Sequence, residues 1–130
     1  GLLNKMRLLL DSHILLWSVF EPQKLSGTMQ EAIANTENLV CVSIVSMWEI
    51  AIKQSIGRLI IPEGFFDIIY KKSGFDLLLL QPNHISHYLT LPLHHRDPFD
   101  RMLIAQAKAE QLTLVTNDEA MMQYEQINFF

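Results

Sequence analysis

Cysteine is nearly absent from this chain, and long apolar runs are absent altogether. One Cys among 130 residues, Cys41, cannot close an internal disulfide, so a disulfide-stapled scaffold is excluded. It sits in the run LVCVSIV and reads as a small packed hydrophobe suited to a reducing compartment, the cytoplasm. No apolar stretch approaches the roughly 18–20 residues of a membrane span, so no membrane association is expected. The N-terminus lacks the layout of a secretory signal, because Lys5 and Arg7 interrupt the first apolar run and Asp11 ends it. GLLNK ahead of Met6 reads as a start-site remnant, with MRLLLD as the natural beginning. An excess of positive charge is missing too. A formal net charge of −4 counts against a general nucleic-acid coat protein. It does not count against an enzyme whose acids are offset by metal, and Lys24, Lys53, Arg58, Lys71, Lys72, Arg96 and Arg101 remain to line one face. There is no GxGxxG, GxxxxGK[ST] or GxSxG, which leaves dinucleotide, P-loop and nucleophile-elbow readings unsupported.

What is present is enough apolar sequence for a full core. The chain is 49% hydrophobic and 18% charged, with no internal repeat, low-complexity segment or linker. It reads as one domain over residues 1–130. Short apolar runs at Arg7–Leu10, Leu39–Val42, Asp76–Leu80, Leu112–Val115 and Ile127–Phe129 predict strands. Between them fall helical stretches. HILLWSVF follows Asp11-Ser12. A second helix spans Thr28–Asn35 with Thr28 as N-cap, and a third runs from Ser43 or Ser46 to Ser55, ended by Gly57. A fourth runs from Pro62 to Lys72 before Gly74, and a short one capped by Asn83 ends before Pro92. Another starts at Asp97-Pro98 and runs through Ala109, and the last spans Asp118–Tyr124. That alternation predicts an α/β fold, with a central parallel sheet of about five strands covered by helices on both faces.

Four carboxylates fall where such a sheet brings them together: Asp11, Glu49, Asp100 and Asp118. Asp11 and Asp118 follow runs that read as buried strands; Glu49 and Asp100 sit early in predicted helices. Parallel neighbours share one carboxyl edge, where open α/β folds bind ligands. Acids gathered there repel one another unless a hard cation such as Mg²⁺ or Mn²⁺ neutralises them. The pattern therefore points to metal-dependent phosphoryl chemistry.

Each acid also has a plain structural role open to it. Asp11 and Asp118 can be helix caps. Glu49 fits the capping-box spacing from Ser46, although an acid among Met47, Trp48, Ile50 and Ile52 needs a partner to be buried. Asp97, Pro98 and Asp100 together make a sound helix start. His94-His95 reads as a surface-loop pair, since no zinc-type spacing accompanies it. His13 can reach substrate or simply pack, and Trp17 and Trp48 read as core.

The stretches LLLDSHILLW, SIVSMWEIAIKQSIGRLIIP and HHRDPFDRMLIAQAKAEQLTLVTND resemble PIN-domain ribonucleases, most closely the VapC-type toxins of bacterial toxin–antitoxin modules. The resemblance spans nearly the whole chain in the right order; WEIAIK and HRDPFDRMLIAQA carry it and LLLD alone does not. It implies a three-layer PIN-like fold and an Mg²⁺- or Mn²⁺-dependent endoribonuclease. It also implies a homodimer and a cognate antitoxin whose C-terminal segment occupies the acidic groove. Carried over by position, Asp11, Glu49, Asp100 and Asp118 become the acidic quartet. Asp11 and Asp100 are then the direct metal ligands, with Glu49 and Asp118 binding a second ion or orienting water. Ser12 stands beside the first acid, Asp97 is a companion, and Arg96 or Arg101 is placed to contact backbone phosphates. Two rival readings remain: a metal-dependent phosphatase on a similar sheet, weakened by His13 where a second Asp belongs, and a non-catalytic module that only docks a partner.

Overall fold

Leu8, Leu9 and Leu10 are fully buried, and that fact organises the molecule. A strand buried on both faces belongs in the middle of a covered parallel sheet. In this computed structural model, which describes residues 5–130, it does. The reading of GLLNK as a remnant falls almost wholly outside that range. The strands are β1 (Arg7–Leu10), β2 (Leu39–Ser43), β3 (Asp76–Leu78), β4 (Thr113–Val115) and β5 (Asn128–Phe129). They lie in the order β3-β2-β1-β4-β5, every pair parallel. The expected five-stranded parallel sheet is thus present.

Side-chain alternation divides the core in two. Leu8, Leu10, Val40 and Val42 face one layer with Ile14, Leu15, Ile50 and Phe65. Leu9, Cys41 and Leu114 face the other with Leu103, Ile104, Ala107 and Met121. Helices α1 (Ser12–Phe20), α2 (Gly27–Ala34) and α4 (Phe65–Asp67) supply the first layer, and α6 (Pro98–Glu110) the second. Helix α3 (Ile44–Ser55) contributes Met47 and Ile50 to one and Val45 to the other. Burial of each such side chain is worth about 1.5–3 kcal/mol. Helix α5 (Pro82–Leu89) packs on α6. There the fully buried His84 accepts the Gln81 backbone N–H at Nδ1, at 3.0 Å, and its Nε2 lies 2.8 Å from Glu110 Oε2.

Several expected boundaries shift for local reasons. Ser26, not Thr28, caps α2, accepting the Met29 N–H at 3.2 Å. The fourth helix starts at Phe65 rather than Pro62, because Gly64 takes a left-handed turn (φ 85°) just before it, and it continues as a π-helical turn, Ile68–Lys72. Strand β3 stops at Leu78, and Gln81 rather than Asn83 precedes α5. Past Asp118 only a 3₁₀ turn forms, Met121–Gln123. Trp48 is 62% exposed and rests edge-on against Phe99, because it falls with Ala51 and Ser55 on the face of α3 turned away from the sheet. Phe129 and Phe130 pack against the two core layers, since β5 pairs with β4 and carries them inward. Both are half-buried. Among the described residues no helix is long and apolar enough to cross a membrane.

Candidate metal centre

The chain reverses its direction of travel across the sheet between β1 and β4, and at that crossover a crevice opens beyond the strand ends. The backbone N–H of Asp11 donates to the Val115 carbonyl at 3.1 Å, extending the β1–β4 ladder one step. Asp11 therefore stands beside Thr116. It also caps α1, its Oδ1 accepting the Ile14 N–H at 2.7 Å. The Thr116 hydroxyl donates to its Oδ2. Asp11 is only 6% exposed, and that burial raises its carboxyl pKa, the bonds from Thr116 and Ile14 opposing the rise. The choice between cap and site residue is thus not exclusive: Asp11 is a cap and also opens onto the crevice.

Glu49 comes from the second turn of α3 and is 7% exposed. Ser12 donates to its Oε1 at 2.6 Å, and Lys53 lies 3.2 Å from its Oε2, one turn further along the helix. The partner that an acid in so apolar a helix requires is therefore supplied twice. At the head of α6, Asp97 Oδ1 accepts the N–H groups of Phe99 and Asp100 at 2.8 and 3.0 Å, which makes Asp97 the cap. Asp100, free of capping, projects into the crevice. Burial first, then Asp97 and Glu49, push its pKa up to about 7 against the pull of His95. Asp118 follows β4, takes the Ala120 N–H on Oδ1 at 2.8 Å, and donates its own N–H to Thr116 Oγ1 at 3.0 Å.

Asp11, Glu49, Asp100 and Asp118 thus line one open pocket of about 420 Å³, together with Ser12, His13, Trp17, Lys53, Asp97 and Asn117. Among the sequence-predicted residues, two stand apart from it. Arg101 is buried, and its Nη1 donates to the carbonyls of Pro92 and His95 at 3.0 and 3.3 Å and to the Tyr124 hydroxyl at 2.9 Å. Its guanidinium lies 4.9 Å from the Tyr88 ring centroid. It fastens the 92–95 loop rather than facing the pocket. Arg96 is exposed and outside the pocket wall. Conversely, His95 is not a free surface residue: its Nε2 lies 3.0 Å from Asp100 Oδ2 and 3.5 Å from Asp118 Oδ2. Thr116 was also missed, although a hydroxyl at the end of a buried apolar strand is a signal in itself.

The family profile of the PIN domain matches residues 8–126. The chain belongs to the PIN domain family. No curated protein matches its sequence. Solved structures align with this PIN domain over nearly its whole length. A chain of VapBC2 from Rickettsia felis, bound to a DNA fragment from its promoter, is 16% identical with a TM-score of 0.74, covering 96% of this chain and 98% of that one. A chain of DNA-bound VapBC from Salmonella typhimurium is 15% identical with a TM-score of 0.69, covering 96% and 97%. One from FitAcB of Neisseria gonorrhoeae is 16% identical with a TM-score of 0.65, covering 95% and 96%. At such identities the likeness establishes the fold of the PIN domain.

Proposed function

We propose that this PIN domain is an Mg²⁺- or Mn²⁺-dependent endoribonuclease and the toxin of a bacterial toxin–antitoxin pair. The observation that carries the reading is the convergence of Asp11, Glu49, Asp100 and Asp118 on one crevice at the sheet crossover. The donor set fits the ion: carboxylate oxygens are what hard divalent cations take. Burial first, then Asp97 and Glu49, push the Asp100 pKa up to about 7, so positive charge in the crevice favours its ionised form. Asp11 and Asp100 would hold the ion, with Glu49 and Asp118 completing its coordination or orienting water. When bound, the ion would lower the pKa of a coordinated water and neutralise charge growing on the phosphate.

The chain's own residues do the rest. The hydroxyls of Thr116 and Ser12 fix the Asp11 and Glu49 carboxylates, so that neither must reorganise on binding. Lys53, in the pocket wall, and the exposed Arg96 offer cations to the phosphate backbone. An open pocket suits single-stranded or looped RNA, whose bases are accessible. An acidic crevice also suits a basic side chain of an antitoxin, which would displace or mimic the ion. Several chains of similar fold were solved as VapBC or FitAB assemblies, which supports a cognate partner. The exposed Ile60, Leu89 and Leu93 support a homodimer. We place the protein in the cytoplasm.

The test is cleavage of fluorescent single-stranded RNA by purified protein with Mg²⁺, with Mn²⁺ and with EDTA, beside the Asp11→Asn and Asp100→Asn variants. Cleavage should need the metal and both acids. Cleavage that persists in EDTA, or in both folded variants, would sink the reading.

A further inference from the structure

His95 is the side chain in this crevice that the acid quartet does not explain. It arrives on the loop before α6, whose path is fixed by Arg101 on the Pro92 and His95 carbonyls and by the Tyr124 hydroxyl, which accepts the His95 backbone N–H at 3.1 Å. Its Nε2 is buried and 3.0 and 3.5 Å from oxygens of Asp100 and Asp118, yet aligned as a hydrogen bond with neither. The three atoms lie within 4.8 Å of one another, which by distance alone would let His95 be a third metal ligand.

The other ring nitrogen decides against that. Nδ1 accepts the Asp97 backbone N–H at 3.3 Å, so it carries a lone pair, and the proton of the neutral ring sits on Nε2. A metal-bound histidine has the reverse arrangement: its free nitrogen donates outward and the lone pair faces the ion. Here an N–H lies within 3.0 and 3.5 Å of two carboxylates.

We propose that His95 is a positioning residue of the metal centre: its Nε2–H, held by the Asp97 main chain at Nδ1, bridges Asp100 and Asp118 and sets the spacing of their carboxylates for the divalent ion. This rests on the reading of the crevice as a metal site. Asp100 comes from a helix start and Asp118 from a strand end, and among the described residues no hydrogen bond joins their side chains directly. A shared donor is what brings two like charges from separate elements to a common distance. Outer groups of this kind typically alter metal affinity about 10–100-fold.

The experiment is Mn²⁺ binding by the purified full chain, read calorimetrically, with the Mn²⁺ EPR spectrum as a second readout. His95→Leu should weaken Mn²⁺ binding at least about tenfold. His95→Gln, whose amide N–H reaches a similar position, should restore most of it. Electron spin-echo spectra of Mn²⁺-loaded wild type should show no directly bonded nitrogen. Unchanged affinity in folded His95→Leu would overturn the proposal. So would failure of a folded His95→Gln to recover, or a bound-nitrogen signal, which would make His95 a ligand instead. Wild type that binds no Mn²⁺ would overturn the metal-centre reading first, and this proposal with it.

Discussion

The Thr116 hydroxyl donates to Asp11 Oδ2 across 105 positions of sequence, and its own oxygen, Oγ1, accepts the Asp118 backbone N–H at 3.0 Å. One fully buried hydroxyl thereby ties the end of β1 to the segment after β4. Thr116→Val keeps the shape and removes both bonds. It leaves a buried carboxylate oxygen and a backbone N–H short of partners, which costs about 1–3 kcal/mol. It also removes a bond that lowers the Asp11 pKa, so that pKa should climb further. We expect a lower urea midpoint and weaker Mn²⁺ binding, the latter more so as pH is lowered, with Thr116→Ser close to wild type. A Thr116→Val protein matching wild type in both would mean the bond contributes nothing.

Asp100 makes the metal-free protein pH-sensitive in an unusual direction. Its folded pKa is about 7 and its unfolded value 3.8. The native state therefore holds a proton that the unfolded chain has released, and stability falls as pH rises from about 4 to 7, then levels. Discounted for partial exposure and screening, the effect is on the order of 1 kcal/mol. Asp100→Asn removes the proton equilibrium, so the difference between variant and wild type isolates it. Urea melts in EDTA should show the variant gaining on wild type between pH 5 and 7.5, and a constant difference would refute the shift. Metal binding, which needs the ionised carboxylate, should strengthen over the same interval with release of about one proton.

Thermal stability should report the same site. Mg²⁺ at 100 times its dissociation constant stabilises the native state by about 2.7 kcal/mol, a Tm rise of about 5–10 °C for a domain of this size. Asp100→Asn, at least as stable as wild type in EDTA, should rise much less and fall behind when Mg²⁺ is added. Equal shifts in both proteins would leave Asp100 outside the metal centre.

The sheet and the acids were legible because each depends on local pattern. Runs such as RLLL and LVCVS are short and β-branched or leucine-rich, which favours strands, and the parallel pairing of β1 and β4 brings Asp11 and Asp118, which follow them, to one edge. Thr116 was not legible, since a threonine after LTLV looks like one more strand residue until Asp11 is placed beside it. His95 was hidden by its loop: only the Arg101 and Tyr124 contacts turn it inward, and those are tertiary. Trp48 misled for another reason, because its place on helix α3, with Ala51 and Ser55, is on the side turned away from the sheet. The late start of α4 turns on the positive φ of Gly64, which the preceding Pro62 masked.

Arg101 and Arg96 should separate cleanly in experiment, although the sequence offered them as equals. Arg101 is buried, spends its Nη1 on two carbonyls and the Tyr124 hydroxyl, and lies on the Tyr88 ring. Arg101→Met keeps much of the aliphatic length and strands those acceptors in a poorly solvated loop. Leaving buried acceptors without their donor costs about 1–3 kcal/mol, so the variant should melt below wild type. Its loss of RNA cleavage should follow the loss of folded protein. Arg96 is exposed, and Arg96→Ala should leave the melt within about 0.5 kcal/mol of wild type. If Arg96 meets backbone phosphate, that variant should bind non-cleaved RNA more weakly and reduce the slope of log affinity against log salt by about 0.7. Filter binding at several salt concentrations with EDTA present, beside thermal melts, measures both. An Arg101→Met protein of wild-type stability with a reduced salt slope would return Arg101 to the phosphate and undo its role as the fastener of the His95 loop.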